Sequence, residues 1–177
     1  MNPLLTDWAS ATEGGLPPFS LVRAEHFEPA FHAAMAAQRA ELDAIAADPQ
    51  PPTFANTAAA LDASGRWLGR VEMLFHTLNA SRSTPELQAV QRCMAAPLAA
   101  HASWVAMHQG VFARLDDLLR RVDSLGLDAE ARRLLERLHL EAVRAGARLG
   151  AAERQRCAEL MQELAELNTR FAQNVMA

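Results

Sequence analysis

The chain has 177 residues, enough for one domain or one and a half with a substantial core. Half of the residues are apolar and 21% are charged, a composition typical of a soluble folded protein rather than a disordered one. The net charge of -4 and the pI of about 5.9 provide no bulk positive field, which excludes general attraction to nucleic acid or to an anionic membrane.

The N-terminal residues MNPLLTDW contain no basic stretch followed by an apolar run, so no signal peptide is visible in this chain. No window approaches ~18 consecutive apolar residues, so no membrane-spanning helix is predicted. We expect a cytoplasmic location, with a periplasmic alternative if a signal peptide has been removed. Cys93 and Cys157 lie far apart in helical patterns and are predicted to be buried, reduced thiols, with a disulfide as the minority alternative.

Residues 1–22 are predicted to form an irregular arm, because they contain two pairs of helix-breaking residues, Gly14–Gly15 and Pro17–Pro18. Residues 23–177 are predicted to form a helical bundle. Its first helix begins near His26 and ends at the DPQPP segment, residues 48–52. Its buried face is predicted from apolar residues at helical spacing, namely Phe27, Phe31, Ala34, Met35, Leu42 and Ile45.

Thr53 is predicted to cap a second helix that continues to Leu78. Its apolar stripe consists of Leu61, Leu68, Val71, Phe75 and Leu78. Gly65 and Gly69 are four residues apart on this helix, and small residues at that spacing predict that another helix approaches closely.

Thr84 and Pro85 predict the start of a third helix, in which Pro97 is expected to cause a kink. Gly110 is predicted to restart the chain into a short fourth helix, and Asp128 to cap a fifth. The alternating charges from Asp128 to Arg144 predict a solvated helix surface, and "HLE" at residues 139–141 is assigned to a solvated face.

The loop at residues 144–153 leads to a terminal helix whose apolar pattern runs to the end of the chain, with no Gly, Pro or basic cluster to stop it. Its apolar residues are Cys157, Leu160, Met161, Leu164, Leu167, Phe171 and Val175. No period of two persists anywhere, so the predicted fold class is all-α, an antiparallel bundle of about five to six helices.

The sequence contains no recognisable catalytic or metal motif. The zinc helix motif H-E-x-x-H, a G-x-S-x-G turn, a phosphate-binding glycine loop and a C-x-x-C pair are all absent. His101 and His108 are seven residues apart on one face but lack the further ligands that a metal site needs, so they are interpreted as core or boundary residues. The same interpretation covers the other histidines except His139. Core packing is preferred for the larger aromatic residues Trp67, Phe75, Trp104, Phe112 and Phe171.

Three stretches, taken in order, resemble one protein family. They are "NPLL…LPPFSLVRAEHFEPAF" (Asn2–Phe31), "PTFANTAAALDASGRWLGRV" (Pro52–Val71) and "VRAGARLGAAERQRCAELMQELAELNTRFAQNVMA" (Val143–Ala177). They are similar to the N-terminal region of the zinc metallopeptidases that include bacterial peptidyl-dipeptidase, oligopeptidase A and the thimet oligopeptidases. The match covers essentially the whole chain, and the Asn-Pro opening favours the peptidyl-dipeptidase branch.

The resemblance implies a non-catalytic segment of a larger α-helical enzyme. In that family the chain continues into a catalytic domain in which H-E-x-x-H and a further Glu hold zinc, and the N-terminal helices form part of the wall of the substrate channel. None of the zinc-binding or catalytic residues maps onto this chain, so its expected catalytic, cofactor-binding and metal site residues are none. Zinc is expected only in the presumed full-length enzyme, and this chain alone is expected to be inactive.

Two function hypotheses follow. The first is a wall domain of a peptidase that hydrolyses short peptides, releasing dipeptides from C-termini, with the missing catalytic domain as its partner. The second is a stand-alone helical bundle that binds a partner, or a second copy, through the apolar face of its last helix. No nucleic acid or membrane partner is expected.

Overall fold

The computed structural model of the chain describes residues 2–6, 8 and 15–176. Within these residues the secondary structure is helical and contains no strand, which confirms the predicted all-α fold class. The α-helices are α1 (Phe27–Ala47), α2 (Ala60–Ala63), α3 (Arg66–Ser81), α4 (Pro85–Ala106), α5 (Gln109–Arg120), α6 (Ala129–Ala145) and α7 (Ala151–Met176). Shorter turns occur at Pro3–Leu5, Ala24–His26 and Val122–Ser124, and a π-helical segment covers Phe54–Ala59.

None of the helices in the described part of the chain has the length and apolar character that crossing a lipid bilayer requires.

The predicted helix caps at three positions are confirmed. The Thr53 hydroxyl accepts a hydrogen bond from the N–H of Asn56 at 3.1 Å, while the Asn56 side chain accepts one from the N–H of Thr53 at 2.7 Å. The Thr84 hydroxyl accepts from the N–H of Leu87 at 3.3 Å, and the Asp128 carboxylate accepts from the N–H of Ala131 at 2.8 Å. Each bond satisfies an N–H group that the first turn of a helix leaves without a partner.

The predicted second helix is interrupted at Gly65, so the prediction of one continuous helix from Thr53 to Leu78 is wrong. The segment is π-helical over Phe54–Ala59, becomes α2, and breaks before α3 begins at Arg66. Gly65 has a φ of 68°, in the left-handed region, which costs little at glycine because no Cβ meets the backbone. The Gln38 side chain also lies where a Cβ on Gly65 would be, with its closest atom 2.2 Å from that position.

Gly69 does not mark a close helix crossing, which corrects the second half of the glycine prediction. A Cβ built on this residue has nothing within 4 Å. A larger side chain at Gly69 would therefore enter open space and cause no overpacking.

The helix predicted to restart at Gly110 begins earlier, at Gln109, with His108 as its cap. The Nδ1 atom of His108 accepts the N–H of Val111 at 3.3 Å. A histidine cap carries no strong sequence signal, because Ser, Thr, Asp and Asn are the residues that usually occupy this position.

The chain divides into two compact units. Unit 1 contains residues 1–38, 65–98 and 163–177, and its core includes the rings of Phe27, Phe31 and Phe75. The ring of Phe75 meets those of Phe27 and Phe31 edge-on, at centroid distances of 5.1 and 5.5 Å. The arm contributes to this core, because Leu4 and Trp8 are buried and the indole of Trp67 donates a hydrogen bond to the carbonyl of Leu4.

Unit 2 contains residues 39–64 and 99–162. Its core consists of apolar residues from α1, α5 and α6 together with the π-helical segment, namely Leu42, Ile45, Ala58, Val111, Leu115, Leu118 and Leu135. The face predicted for α1 is therefore buried throughout, with its first part in unit 1 and its last part in unit 2.

Arg114 is a buried cation in unit 2 that the sequence patterns do not single out. Its Nε donates to the hydroxyl of Thr57 at 3.2 Å, and its Nη1 donates to the carbonyl of Asp48 at 2.9 Å. Its Nη2 lies 3.5 Å from a carboxylate oxygen of Asp48. Arg114 thus fixes the loop after α1 and the π-helical segment against α5, because a buried guanidinium needs several acceptors and a negative partner.

The contrast between the two glycines gives the first prediction. We expect Gly65→Ala to lower the free energy of unfolding by about 1–2 kcal/mol, because an alanine in the left-handed region carries steric strain. Gly69→Ala serves as the matched control and should raise it by about 0.5–1 kcal/mol, because this position is inside a helix with open space around it. Urea unfolding of both variants measures the difference, and equal effects would contradict the assigned conformation of Gly65.

Candidate functional site

His101 and His108, the pair weighed as metal ligands, are each held by protein contacts in unit 2. The buried ring of His101 stacks on Trp104 with 6.2 Å between centroids, and the Nε of Arg39 donates to its Nδ1 at 3.4 Å. Burial, followed by the nearby charge of Arg39, lowers the pKa of His101. The Nδ1 of His108 accepts the hydrogen bond that caps α5, and its Nε2 lies 3.2 Å from a carboxylate oxygen of Asp43.

His139 corrects a prediction, because it is buried rather than on a solvated face. Its Nε2 donates to a carboxylate oxygen of Asp116 at 3.0 Å, and its ring stacks on Phe112 with 5.3 Å between centroids. The physical reason is a partner 23 residues away on α5, which a local pattern on α6 does not reveal. The rest of the charged pattern on α6 is solvated as predicted, with exposed pairs such as Arg137–Glu141.

Asp116 lies at the centre of a small charged cluster in unit 2. The hydrogen bond from His139 is the largest cause that holds the pKa of the Asp116 carboxyl below its ordinary value. Arg120 and Arg148 act in the same direction, with nitrogen–oxygen distances of 3.4 and 3.6 Å to the carboxylate. All of these contacts are internal to the unit, so the cluster stabilises the packing of α5 on α6.

The residues that the structure describes do not fit a zinc ion. Nowhere among them do three or more His, Cys, Asp or Glu side chains gather in a ligand geometry. Both cysteines are free thiols, but Cys93 is exposed, so its predicted burial is wrong, and Cys157 is half-buried. No catalytic step is therefore assigned to a metal in this chain.

The last helix presents its large apolar side chains to solvent. In unit 1, Leu164, Leu167 and Phe171 are 51%, 47% and 70% exposed, and Val175 is 69% exposed. We call these four residues the outer stripe; at 100° per residue they share one side of α7. Leu160, one turn earlier on the same helix, is 48% exposed. The core position predicted for Phe171 is wrong.

The side of α7 that packs against the rest of unit 1 carries small and polar side chains instead. Its half-buried residues there are Ala165, Thr169 and Gln173. Gln173 makes the specific contacts with α4: its Nε2 donates to the carbonyl of Gln88 at 3.1 Å and to the side chain of Gln91 at 2.9 Å. Its Oε1 accepts from Arg92 at 2.7 Å. The usual arrangement of a surface helix, with an apolar face inward and a polar face outward, is thus reversed.

Large exposed apolar areas rimmed by polar residues mark interaction sites in proteins. The outer stripe fits this description, because its neighbours on α7 include Glu163, Asn168 and Asn174, all exposed. The arrangement can bind an apolar surface but offers no acid, base or nucleophile. The outer stripe is therefore a candidate interaction surface, and it is the candidate functional site of the described residues.

Comparison with known proteins shows that the chain is similar to part of several peptidases. It is 38% identical to a dipeptidyl carboxypeptidase of Escherichia coli over all 177 residues, and 35% identical to that of Salmonella typhimurium over 176 residues. It is 27% identical to oligopeptidase A of Salmonella typhimurium over 175 residues. No family model matches the chain.

The matched relatives are much longer than this chain. It spans 26% of the length of the two dipeptidyl carboxypeptidases and 25% of that of the oligopeptidase A. The resemblance inferred from the three motifs is confirmed: the chain is similar over its whole length to dipeptidyl carboxypeptidases and to oligopeptidase A.

The pKa of Asp116 gives a prediction about pH. A carboxyl whose pKa is lowered by folding stabilises the fold above its ordinary value of about 3.9, and this stabilisation is lost as pH falls through the lowered value. We expect Asp116→Asn to lower the melting temperature at pH 7, and the difference from the unsubstituted chain to shrink below about pH 4. Asp62→Asn, on the exposed Asp62 of the same unit, is the control and should have little effect. A difference that does not change with pH would contradict the assignment.

The histidine contacts give a prediction about metal. We expect well below one equivalent of zinc per chain after dialysis, since the rings of His108 and His139 are engaged with Asp43 and Asp116. Elemental analysis measures the content. Near-stoichiometric zinc that is lost in His108→Ala would contradict this account of the site.

Proposed function

We propose that this chain is the N-terminal helical region of a zinc-dependent peptidase that hydrolyses short peptides, with dipeptides released from C-termini. The observation that carries the proposal is the 38% identity to a dipeptidyl carboxypeptidase over the whole chain. In the proposal, zinc and the catalytic residues belong to the part of the enzyme outside the matched quarter. The helices contribute to the wall of the peptide channel, as the family resemblance implies. The cytoplasmic location and the division into residues 1–22 and 23–177 stay predictions.

The outer stripe is proposed as the surface that packs against the rest of this enzyme. The support is twofold: its apolar side chains are uncovered, and the matched relatives have about three times as much further chain to cover them. Burying a fully exposed side chain of this size contributes about 1.5–3 kcal/mol, and each of these four contributes less than that because it is already partly covered. A stand-alone interaction module is the second candidate, because the same uncovered stripe suits an external partner.

A chimera tests the proposal directly. The matched quarter of the Escherichia coli dipeptidyl carboxypeptidase is replaced by this chain, and release of dipeptides from a fluorogenic peptide is measured with zinc present. We expect the chimera to be active and the isolated chain to be inactive. Peptide release by the isolated chain that a chelator abolishes would contradict the placement of the chemistry outside this chain.

Phe171→Asp tests the outer stripe within the same experiment. In the isolated chain the change should shift stability by no more than about 0.5 kcal/mol, because Phe171 is exposed. In the chimera it should lower stability by several kcal/mol and reduce activity, because a carboxylate would then have to enter an apolar interface.

Ala172→Asp is the matched control, since it adds the same charge at an exposed site about 100° away around the helix. Equal effects of the two substitutions in the chimera would show that the outer stripe is not part of the interface. An inactive chimera, combined with self-association of the isolated chain that Phe171→Asp abolishes, would favour the stand-alone module.

A further inference from the structure

The outer stripe of α7 has the spacing of a coiled-coil seam. Leu164, Leu167 and Phe171 are three and four residues apart, the alternation with which two helices pack along one another. All three side chains are about half exposed or more. The half-buried residues of α7 in unit 1 lie on the other side of the helix, so the seam is open to a second helix.

One flank of this seam is charged and the other is not. Glu163 and Arg170 are two turns apart, and at 100° per residue they lie within about 20° of each other around the helix. Both are exposed, and neither belongs to an ion pair with any residue that the structure describes. The flank on the opposite side of the seam carries Asn168 and Ala172, which have no charge. The charged flank therefore offers one anion and one cation to a partner.

A second copy of the chain is complementary to this flank. In a two-fold symmetric pair each contact occurs twice, because residue i of one copy meets residue j of the other and the reverse. Two copies of α7 can run antiparallel with Leu164 of each opposite Leu167 of the other. The two charged flanks then meet, and Glu163 of each copy lies beside Arg170 of the other. The pairing combines two leucine layers with two ion pairs.

The same charges specify the register of the pair. A shift of one heptad in one direction places the two copies of Arg170 beside each other, and a shift in the other direction does the same with Glu163. Both shifts bring like charges together, which is unfavourable. In a parallel pair the charged flank of each helix meets the uncharged flank of the other. Only the antiparallel pair with Leu164 opposite Leu167 satisfies both charges.

We infer that the isolated 177-residue chain binds a second copy of itself through the outer stripe of α7, as an antiparallel pair held in register by Glu163 and Arg170. The inference goes beyond the proposed function and does not depend on it, since it uses only the exposed residues of this helix. A second copy and the rest of the proposed peptidase would contact the same side chains. The two partners therefore compete for the outer stripe and cannot occupy it together.

The paired surface is small, so the association is weak. From Glu163 to Met176 the helix is about 20 Å long at 1.5 Å per residue. A contact of this length buries less than the ~1,200 Å² of a stable interface, which predicts a Kd on the order of 100 μM. At about 1 μM the chain is then monomeric, and the stability of Phe171→Asp in the isolated chain is measured there without interference from pairing.

Sedimentation equilibrium of the isolated chain, at about 1–500 μM, tests the inference. We expect a monomer at the lowest concentration and a reversible dimer at the highest. Glu163→Arg and Arg170→Glu should each weaken the dimer roughly tenfold, because two contacts between opposite charges become two contacts between like charges. Phe171→Asp should abolish the dimer, because it places a carboxylate in the apolar seam.

A mixture of the two charge variants tests the antiparallel register. When Glu163→Arg chains meet Arg170→Glu chains, both contacts again join opposite charges, so the mixture should form a heterodimer about as strongly as the unsubstituted chain pairs with itself. The double variant keeps the net charge and should also dimerise normally. Glu166→Arg is the matched control, since it makes the same charge change at an exposed glutamate on the side of α7 away from the stripe, and it should not weaken the dimer. Thermal unfolding confirms that each variant is folded.

Three outcomes would overturn the inference: a monomer at every concentration, a dimer that the two single charge variants leave unchanged, or no recovery in their mixture. None of them decides the proposed function, because sedimentation of the isolated chain involves no hydrolysis. An active chimera with a monomeric isolated chain would refute the pairing alone. Pairing together with an inactive chimera would support the pairing and count against the peptidase proposal.

Discussion

The attachment of α7 through a polar face is the constraint on which the functional interpretation depends. In unit 1 the helix is tied to α4 by the amide of Gln173, which bonds to Gln88, Gln91 and Arg92. Hydrogen bonds of this kind contribute about 0.5–1.5 kcal/mol each, and their geometry fixes the rotation of the helix about its axis. Because Gln173 faces inward, Phe171, two residues earlier and about 200° around the helix, must face outward. The uncovered stripe is thus a direct consequence of the glutamine contacts.

The unit 1 core does not need the apolar residues of α7. It is filled by side chains from the arm, α1, α3 and α4, centred on Phe27, Phe31 and Phe75. A core that is complete without the largest side chains of a helix leaves them for another surface. Contacts inside the core of unit 1 therefore stabilise its fold, while the side chains of the outer stripe lie outside this core and are about half exposed or more.

Local signals in the sequence predicted much of this structure. The caps at Thr53, Thr84 and Asp128 and the buried face of α1 were predictable because a cap or a stripe is encoded within a few residues. The break at Gly65 was not, since a single glycine is compatible with either a helix interior or a left-handed turn. His139 and Arg114 were missed for a different reason. Their burial depends on Asp116 and on Asp48 with Thr57, partners distant in sequence that a periodic pattern cannot identify.

The candidate site shows more clearly what helical periodicity in a sequence cannot predict. α1 and α7 both carry apolar residues at helical spacing, yet α1 buries its stripe and α7 exposes it. A stripe identifies which face of a helix avoids water but not which surface covers that face, and the covering surface can lie on another part of a longer protein. A segment that supplies no catalytic group can still affect catalysis, because packing along the outer stripe would fix the position of these helices in the proposed peptidase, and correct positioning of a substrate is itself part of catalysis.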